Sequence, residues 1–495
     1  MAFELMAPLM FTGLAILLLL GYPVAFALAA NGMLFAFVGI ELGLLQPQLL
    51  QALPQRLFGI MQNQILLAIP FFTFMGLILE RSGMAEDLLD TVGQLFGPVR
   101  GGVAYAVIFV GALLAATTGV IAASVIAMGL ISLPVMLRYG YSKQMATGVI
   151  CASGTLAQII PPSIVLIVLA DVLGASVGDM YKGAMLPGLM LVALLMAFVL
   201  VVSIVKPATL PALPAEARLL RGRALYRHAL LVMVPPLVLM FLVLGTIFIG
   251  VATPTEGGAM GAVGALVLAW LKKRLSMRVL TQALEQTTRL ASFVMFILIG
   301  STVFSLVFRA VNGDLWVERL FGLVPGGVVG FLIVVNLIVF ILGFFIDFFE
   351  IAFILLPLIG PVAANLGVDL VWFAVVIGMN LQTSFLTPPF GFALFYLRSC
   401  APPQVKTGDI YKGIIPFVGV QLIALALTVA FPQLVTALTR DTEAADPSKV
   451  EIRIESIDAP QESEVAEQPA GEGEDKQTEE EKSAAEIQKA FKGGQ

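Results

Sequence analysis

The sequence predicts an all-α polytopic membrane protein made of two inverted-topology repeats, each with a re-entrant helical hairpin and a broken transmembrane helix. Hydrophobic residues make up 59% of the 495 residues and charged residues only 12%, with a mean hydropathy of +0.97. That composition excludes a soluble globular protein. Apolar runs of about 20 residues, enough to cross a bilayer, recur between residues 8 and 438. Features of the first half also return in the second, which indicates an internal repeat.

The internal repeat rests on three groups of residues. They are Leu95-Phe96-Gly97, repeated as Leu320-Phe321-Gly322 at an offset of 225, Pro161-Pro162, repeated as Pro388-Pro389 at 227, and Tyr181-Lys182-Gly183, repeated as Tyr411-Lys412-Gly413 at 230. Offsets as constant as these are not expected by chance. The chain therefore divides into a first repeat at 1–205, a basic linker at 206–228, a second repeat at 229–438 and an acidic, disordered tail at 439–495.

The distribution of basic residues predicts the orientation of the two repeats. The linker 206–228 holds five Lys or Arg residues, so the positive-inside rule places it in the cytoplasm. Arg100, Arg138 and Lys143 of the first repeat have no basic counterpart in the second, as an inverted copy requires. Residues 309–327 are accordingly expected to be periplasmic.

Each repeat contains two interrupted apolar segments. The runs 103–138 and 328–367 are too long for one simple span and are interrupted in the middle, by Thr117-Thr118-Gly119 and by residues 343–350. Two half-length helices that enter and leave on the same side fit both the length and the inverted topology, so each run is predicted to be a re-entrant hairpin. Broken helices are predicted after them, at 143–172 and 370–397, each interrupted by a proline pair.

Breaks inside the membrane indicate an ion-coupled transporter. Freed carbonyl and hydroxyl oxygens coordinate Na+, and helix N-termini attract carboxylates. The single histidine, His228, lies in the linker, and the chain has no His-Glu-x-x-His and no Gly-Lys dipeptide. An enzyme and a nucleotide-driven pump are therefore not expected.

Three motifs resemble the large membrane subunit of tripartite ATP-independent periplasmic transporters. They are Gly154-Thr155 through Pro161-Pro162-Ser163, Thr253-Pro254-Thr255-Glu256, and residues 380–397, NLQTSFLTPPFGFALFYL. The resemblance covers nearly all of residues 1–440. It implies an elevator-type, Na+-driven permease in the bacterial inner membrane, surrounded by the lipid bilayer. The implied partners are a small four-helix membrane subunit and a periplasmic solute-binding protein that delivers a small organic anion, with no cofactor besides Na+ and no nucleic acid.

The same resemblance suggests which residues bind the ion and the substrate. Asp347 matches the family's ion-site aspartate, and the other reading is a simple N-cap of the following helix. The ion-binding candidates are Thr117, Thr118, Gly119, Ser124, Ser153, Gly154, Thr155, Gly343, Asp347, Asn380, Thr383, Ser384 and Thr387. The substrate-binding candidates are Thr118, Ser124, Pro161, Pro162, Gln382, Ser384, Pro388 and Pro389. The tip at 117–119 differs from the family's usual Ser-Gly-Ser, and Phe348 replaces a common proline.

The substrate expected from this resemblance is a 2-oxo acid or a dicarboxylate. The stretch 382–385, Gln-Thr-Ser-Phe, resembles permeases for 2-oxo acids, mannitol or chloroaromatic compounds. The main alternative function is a stand-alone Na+/dicarboxylate symporter, and a less favoured one is a channel.

Features outside the interrupted segments are read as parts of a static scaffold. Two amphipathic stretches, 45–62 and 275–290, are predicted to be interfacial arms. Glu256 is expected to make a scaffold or partner contact at a helix end, and Asp171 to lie at the membrane interface, near the far end of the first broken helix.

Overall fold

The chain folds into helices throughout the part that the computed structural model describes, residues 2–118, 121–218 and 222–439. Those ranges contain no strand. Six of their helices are long and apolar enough to cross a membrane, and up to eight spans result if each of two bent helix pairs counts as one. The predicted all-α, multi-pass membrane fold is therefore confirmed. The predicted acidic tail at 439–495 lies, apart from Thr439, outside the described residues.

The described residues up to 205 form ten α-helices. These are α1 (Ala2–Leu19), α2 (Val24–Glu41), α3 (Ala52–Met61), α4 (Ala68–Arg81), α5 (Met84–Phe96), α6 (Gly102–Thr118), α7 (Ile121–Arg138), α8 (Lys143–Thr155), α9 (Ile164–Leu173) and α10 (Val177–Val205). Short 3-10 helices precede α3 at Pro47–Gln51 and follow α8 at Leu156–Gln158.

The described residues after 205 begin with two 3-10 helices, Pro207–Thr209 and Ala215–Ala217, in the linker. The α-helices that follow are α11 (Gly222–Phe248), α12 (Pro254–Leu271), α13 (Met277–Ala310), α14 (Gly313–Gly322), α15 (Gly327–Leu342), α16 (Phe348–Ile354), α17 (Leu356–Asn365), α18 (Leu370–Ser384), α19 (Phe392–Cys400), α20 (Thr407–Ala430) and α21 (Gln433–Thr436).

The turns that lead into α8 and α18 are built alike. Gly140 and Gly367, 227 positions apart, both have a positive φ, +83° and +72°, which glycine adopts without a steric penalty. Two residues later Ser142 accepts the Met145 N–H at 3.2 Å, and Asp369 accepts the Trp372 N–H at 2.7 Å. Side-chain oxygens at this position satisfy N–H groups that the first helical turn leaves unpaired.

Helices of the two halves exchange partners in a reciprocal way. Helix α2 packs on α13 while α4 packs on α12, and α5 packs on α11 while α14 packs on α1. In the same manner α7 packs on α19 while α9 packs on α16, and α8 packs on α20 while α18 packs on α10. Two copies of one unit related by a two-fold axis would pack in this way. The reciprocal packing supports the sequence repeat, whereas its inverted orientation stays a prediction.

The second arm, at 275–290, was expected to be a separate segment, and the structure shows that it is not. It is continuous with the following span in the single helix α13, which runs from Met277 to Ala310. The first arm does stand apart, as Pro47–Gln51 and α3, because Asn63 forms a turn in which its Oδ1 accepts the Ile65 N–H at 2.9 Å. No proline interrupts residues 277–310, so nothing ends the helix there.

Candidate functional site

Helix ends fall at the four interruptions noted in the sequence. Helix α15 ends at Leu342 and α16 begins at Phe348, with a 54° bend between α16 and α17. The proline pairs lie between α8 and α9 and between α18 and α19, and both are joined by a cis peptide bond. In the first hairpin α6 reaches Thr118 and α7 starts at Ile121.

Helices α15 and α18 run in the same direction. Asn336 contacts Asn380, and one turn further along both helices Phe340 contacts Ser384. Because α15 and α18 run in the same direction, the chain must return from the end of α15 to the level at which α15 begins before α18 can start. Helices α16 and α17 make this return. That path is the path of a hairpin, and it supports the reading of residues 328–367.

A cavity of about 220 Å³ lies where the two predicted hairpin tips meet the second halves of the broken helices. Its lining residues are Ile121, Ala122, Ile164, Leu290, Asp347, Phe348, Phe349, Phe392 and Tyr396. They come from the starts of α7, α9, α16 and α19, together with α13. Apolar walls around a carboxylate and a phenol can enclose a small organic ion.

Asp347 is the N-cap residue of α16. One carboxylate oxygen accepts the Phe348 N–H at 2.8 Å, and Glu350 Oε2 accepts the Asp347 N–H at 3.1 Å, which completes a capping box. The capping reading is therefore correct. An ionised carboxylate has about four acceptor sites, so capping leaves room for a cation on the same group.

The end of α18 carries predicted ion ligands that contact the second hairpin. Asn380 donates from Nδ2 to Asn336 O at 2.7 Å and to Asn336 Oδ1 at 2.9 Å, while Ser384 Oγ donates to Phe340 O at 2.7 Å. Gly343 lies directly against Ser384. The structure thus brings Gly343, Asn380 and Ser384 together.

Gly343→Ala is expected to disturb this contact. A Cβ at residue 343 would lie 2.9 Å from Ser384 Cβ and closer still to its hydroxyl, so the Ser384–Phe340 hydrogen bond must be lost or the hairpin must shift. We expect a destabilisation of about 1–3 kcal/mol and a lower rate of uptake in proteoliposomes. Gly419→Ala in α20 is the matched control, because nothing lies within 4 Å of a Cβ there. Equal uptake and melting temperature in the two variants would contradict the close approach.

The equivalent residues of the first half pack tightly as well. A Cβ at Gly111 would lie 2.7 Å from Ser153 Cβ, and the Ser153 hydroxyl donates to Val149 O at 2.5 Å. Thr155 Oγ1 donates to Ala152 O at 3.0 Å and accepts from Gln421 Nε2 of α20 at 3.2 Å. Gly154 lies against Val125 of α7. Ser153, Gly154 and Thr155 are therefore held between the first hairpin and α20.

The remaining candidates are placed as follows. Pro161 and Pro162 are buried, Pro388 is half-buried and Pro389 is exposed. The hydroxyls of Thr383 and Thr387 donate to Met379 O at 2.9 Å and to Thr383 O at 2.8 Å, within their own segment. Ser124 is buried near the start of α7. Thr117 and Thr118 end α6, but their side chains, like all of Gly119, lie outside the described part of the structure.

Three polar residues, Gln158, Asn336 and Gln421, were missed by sequence reasoning. Gln158 lies between α8 and the first proline pair and is fully buried, as is Gln382, which was already a candidate. Within the described ranges, the side-chain amide groups of both residues have no hydrogen-bond partner. Gln421 is buried as well, and Asn336 is half-buried. Each is a polar residue inside a long apolar run, which is the signal that could have identified them.

Helices α4 and α13 and the loop before α4 belong to the part of the chain that is read as scaffold. Among the described residues, few polar contacts join these three parts to the interrupted segments. Asn63 Nδ2 donates to Asp171 Oδ1 at 2.7 Å, and Ser301 Oγ donates to Phe353 O. Asp171 therefore contacts the loop before α4, and its location at the membrane interface stays a prediction. Thr255 Oγ1 donates to Gln64 O at 2.5 Å, and Glu256 forms a capping box with Thr253. These last contacts stay within the part of the chain that is read as scaffold.

Comparison with known proteins gives a consistent result. The family model of the tripartite ATP-independent periplasmic transporter, DctM component, matches residues 11–434. The C4-dicarboxylate TRAP transporter large permease protein DctM of Pseudomonas aeruginosa is 33% identical over 400 residues, 80% of this chain and 91% of the relative. The sialic acid TRAP transporter large permease protein SiaM of Vibrio cholerae is 27% identical over 418 residues, 84% and 94% of the two chains. The solved YdaH transporter of Alcanivorax borkumensis has a similar fold, with a TM-score of 0.58, 16% identity and coverage of 80% and 91%.

Proposed function

This chain belongs to the DctM component family of tripartite ATP-independent periplasmic transporters, and we propose that it takes up a small organic carboxylate by Na+ coupling and an elevator-type movement. Its relatives are large permease proteins, so the chain is a membrane permease for solute uptake and not an enzyme. The proposal places it in the bacterial inner membrane beside a small four-helix subunit, with a periplasmic binding protein that delivers the substrate.

The observation that carries the proposal is the cavity between the hairpin tips. It brings the Asp347 carboxylate to the start of α9 and the start of α19. Na+ prefers oxygen ligands, and helix N-termini attract carboxylates. A cation beside Asp347 would therefore add positive charge next to a bound anion and raise the affinity for it.

The elevator movement is supported by the way in which the helices pack. Helices α2, α4, α12 and α13 pack on one another, while α6 to α9 and α15 to α19 form the interrupted segments around the cavity. The described polar contacts between the first set, taken with the loop before α4, and the second set include Asn63–Asp171 and Ser301–Phe353. Among the described residues, a sliding movement would need to break such contacts and apolar packing.

The proposed substrate is a 2-oxo acid or a dicarboxylate. The Pseudomonas aeruginosa relative is named for C4-dicarboxylates, and a cavity of about 220 Å³ is of a size for a molecule of a few carbon atoms. To test this, uptake of radiolabelled dicarboxylates and 2-oxo acids is measured in proteoliposomes, with and without the loaded binding protein. The proposal expects uptake only when the binding protein is present. Uptake without it would instead support a stand-alone Na+/dicarboxylate symporter.

The proposed orientation is tested by cysteine labelling in intact cells. In a chain with Cys151 and Cys400 replaced, Asp314→Cys is expected to react with a membrane-impermeant maleimide, whereas Ala215→Cys is not, because the linker is cytoplasmic. Both positions are exposed, so accessibility within the protein does not limit either reaction. Labelling of Ala215→Cys under conditions that spare Asp314→Cys would reverse the orientation.

A further inference from the structure

Asn336 is a polar residue in the middle of the apolar helix α15. Its Nδ2 donates to Leu332 O at 2.8 Å, one turn back in the same helix. This bond fixes the amide so that Oδ1 is available as an acceptor. The Nδ2 of Asn380 donates both to that Oδ1, at 2.9 Å, and to the backbone oxygen of Asn336, at 2.7 Å.

The two acceptors of Asn336 determine the orientation of the Asn380 amide. A side-chain amide nitrogen carries two hydrogens, and both acceptors that it faces belong to Asn336. The carbonyl oxygen, Oδ1 of Asn380, must then point away from α15. That oxygen is buried and has no hydrogen-bond partner among the described residues, in a side chain that is only 1% exposed. A buried carbonyl oxygen without a donor is unfavourable unless something else satisfies it.

We propose that Asn336 is a positioning residue for the coupling ion: it holds the Asn380 amide so that Oδ1 of Asn380 coordinates the cation at the end of α18. This inference rests on the Na+ coupling proposed above. Carbonyl oxygens are suitable ligands for Na+ at breaks in transmembrane helices. The Asn336 side chain does not itself touch the ion.

The first half of the chain lacks this arrangement. The residues that correspond to Asn336 and Asn380, at offsets of 225 and 227, are Gly111 and Ser153, which touch without an amide pair. The ion site of the second half therefore gains an oriented amide oxygen that the first half does not have. A general need for helix adhesion would be served equally well by the small residues of the first half.

Asn336→Leu is expected to raise the Na+ concentration for half-maximal uptake by about three- to tenfold, the effect of losing one neutral hydrogen bond that orients a ligand. The maximal rate at saturating Na+ should stay close to that of the unchanged protein. In an Asn380→Leu background the same change should have no further effect on the Na+ requirement, because the group that Asn336 orients is gone. Na+-dependent thermal stabilisation of the purified protein gives a second readout.

Asn31→Leu is the matched control. Asn31 is a buried asparagine, 2% exposed, whose Nδ2, like that of Asn336, donates to a helix carbonyl, here Met10 O at 2.8 Å. It lies in α2, away from the breaks, so its loss should lower stability without changing the Na+ requirement. Asn336→Ala replaces Asn336→Leu as the deciding variant if the bulkier side chain prevents folding.

The outcomes separate this inference from the proposed function. An unchanged Na+ requirement in the Asn336 variants, together with Na+-dependent uptake by the unchanged protein, would overturn the positioning role alone and leave a helix contact. A further loss of Na+ affinity in the Asn380→Leu background would also overturn it. Uptake by the unchanged protein that does not depend on Na+ would overturn the proposed function itself.

Discussion

Replacing Asp347 by asparagine is expected to raise the Na+ concentration for half-maximal uptake by at least about tenfold, equivalent to about 1.4 kcal/mol of binding free energy. The variant removes the negative charge from the cavity but keeps the size of the side chain. Asparagine is as good an N-cap as aspartate, so the bond from the Phe348 N–H can persist. Because Na+ and substrate raise each other's affinity in the proposed coupling, the apparent affinity for substrate at limiting Na+ should also fall.

Asp369→Asn is the control for the Asp347 variant. Asp369 is also an N-cap, accepting the Trp372 N–H at 2.7 Å, but it does not line the cavity. Its substitution should leave the Na+ requirement unchanged. If both variants behave alike, or if Asp347→Asn transports with the Na+ dependence of the unchanged protein, Asp347 is a helix cap and not an ion ligand.

Linking residue 63 to residue 171 is expected to abolish uptake. The Asn63 and Asp171 side chains are 2.7 Å apart at their polar atoms, and they join the proposed scaffold to the end of the first broken helix. In a chain with Cys151 and Cys400 replaced, a short bis-thiosulfonate reagent should connect Asn63→Cys with Asp171→Cys. An elevator that is held at this contact cannot complete its movement. Uptake should fall to the background level and return when the link is reduced.

A cysteine pair within the scaffold controls for the chemistry of the cross-link. Thr255 and Gln64 are joined by a hydrogen bond of 2.5 Å between two parts that should not move relative to each other. Cross-linking Thr255→Cys to Gln64→Cys should therefore leave uptake intact. Complete cross-linking of residues 63 and 171 with normal uptake would exclude a sliding movement at this contact.

The predictions from sequence succeeded where a local pattern carries the structure. Composition and run length predicted the helical membrane fold, and the proline pairs marked the breaks of α8–α9 and α18–α19. These features depend on residues close together in the chain, as do the turns at Gly140 and Gly367, where glycine at positive φ and a cap two residues later act locally. The capping of α16 by Asp347 was one of the two readings of that residue for the same reason.

What the sequence did not predict depends on residues that are distant in the chain. Asn336 and Asn380 are 44 residues apart, and Asn63 and Asp171 are 108 apart. A pattern of apolar residues shows that Asn336 is unusual in its helix, but it does not show which group it meets. The continuity of α13 was also missed, because an amphipathic stretch and the span after it look like two elements when their composition changes.

Uptake under an imposed Na+ gradient tests the central claim most directly. Proteoliposomes that contain this chain and its small membrane subunit are given the loaded binding protein, with Na+ outside and K+ inside. The account predicts accumulation of the carboxylate above its external concentration, lost when external Na+ is replaced by K+ or when an ionophore dissipates the gradient. Accumulation that is the same in Na+ and in K+ would contradict it.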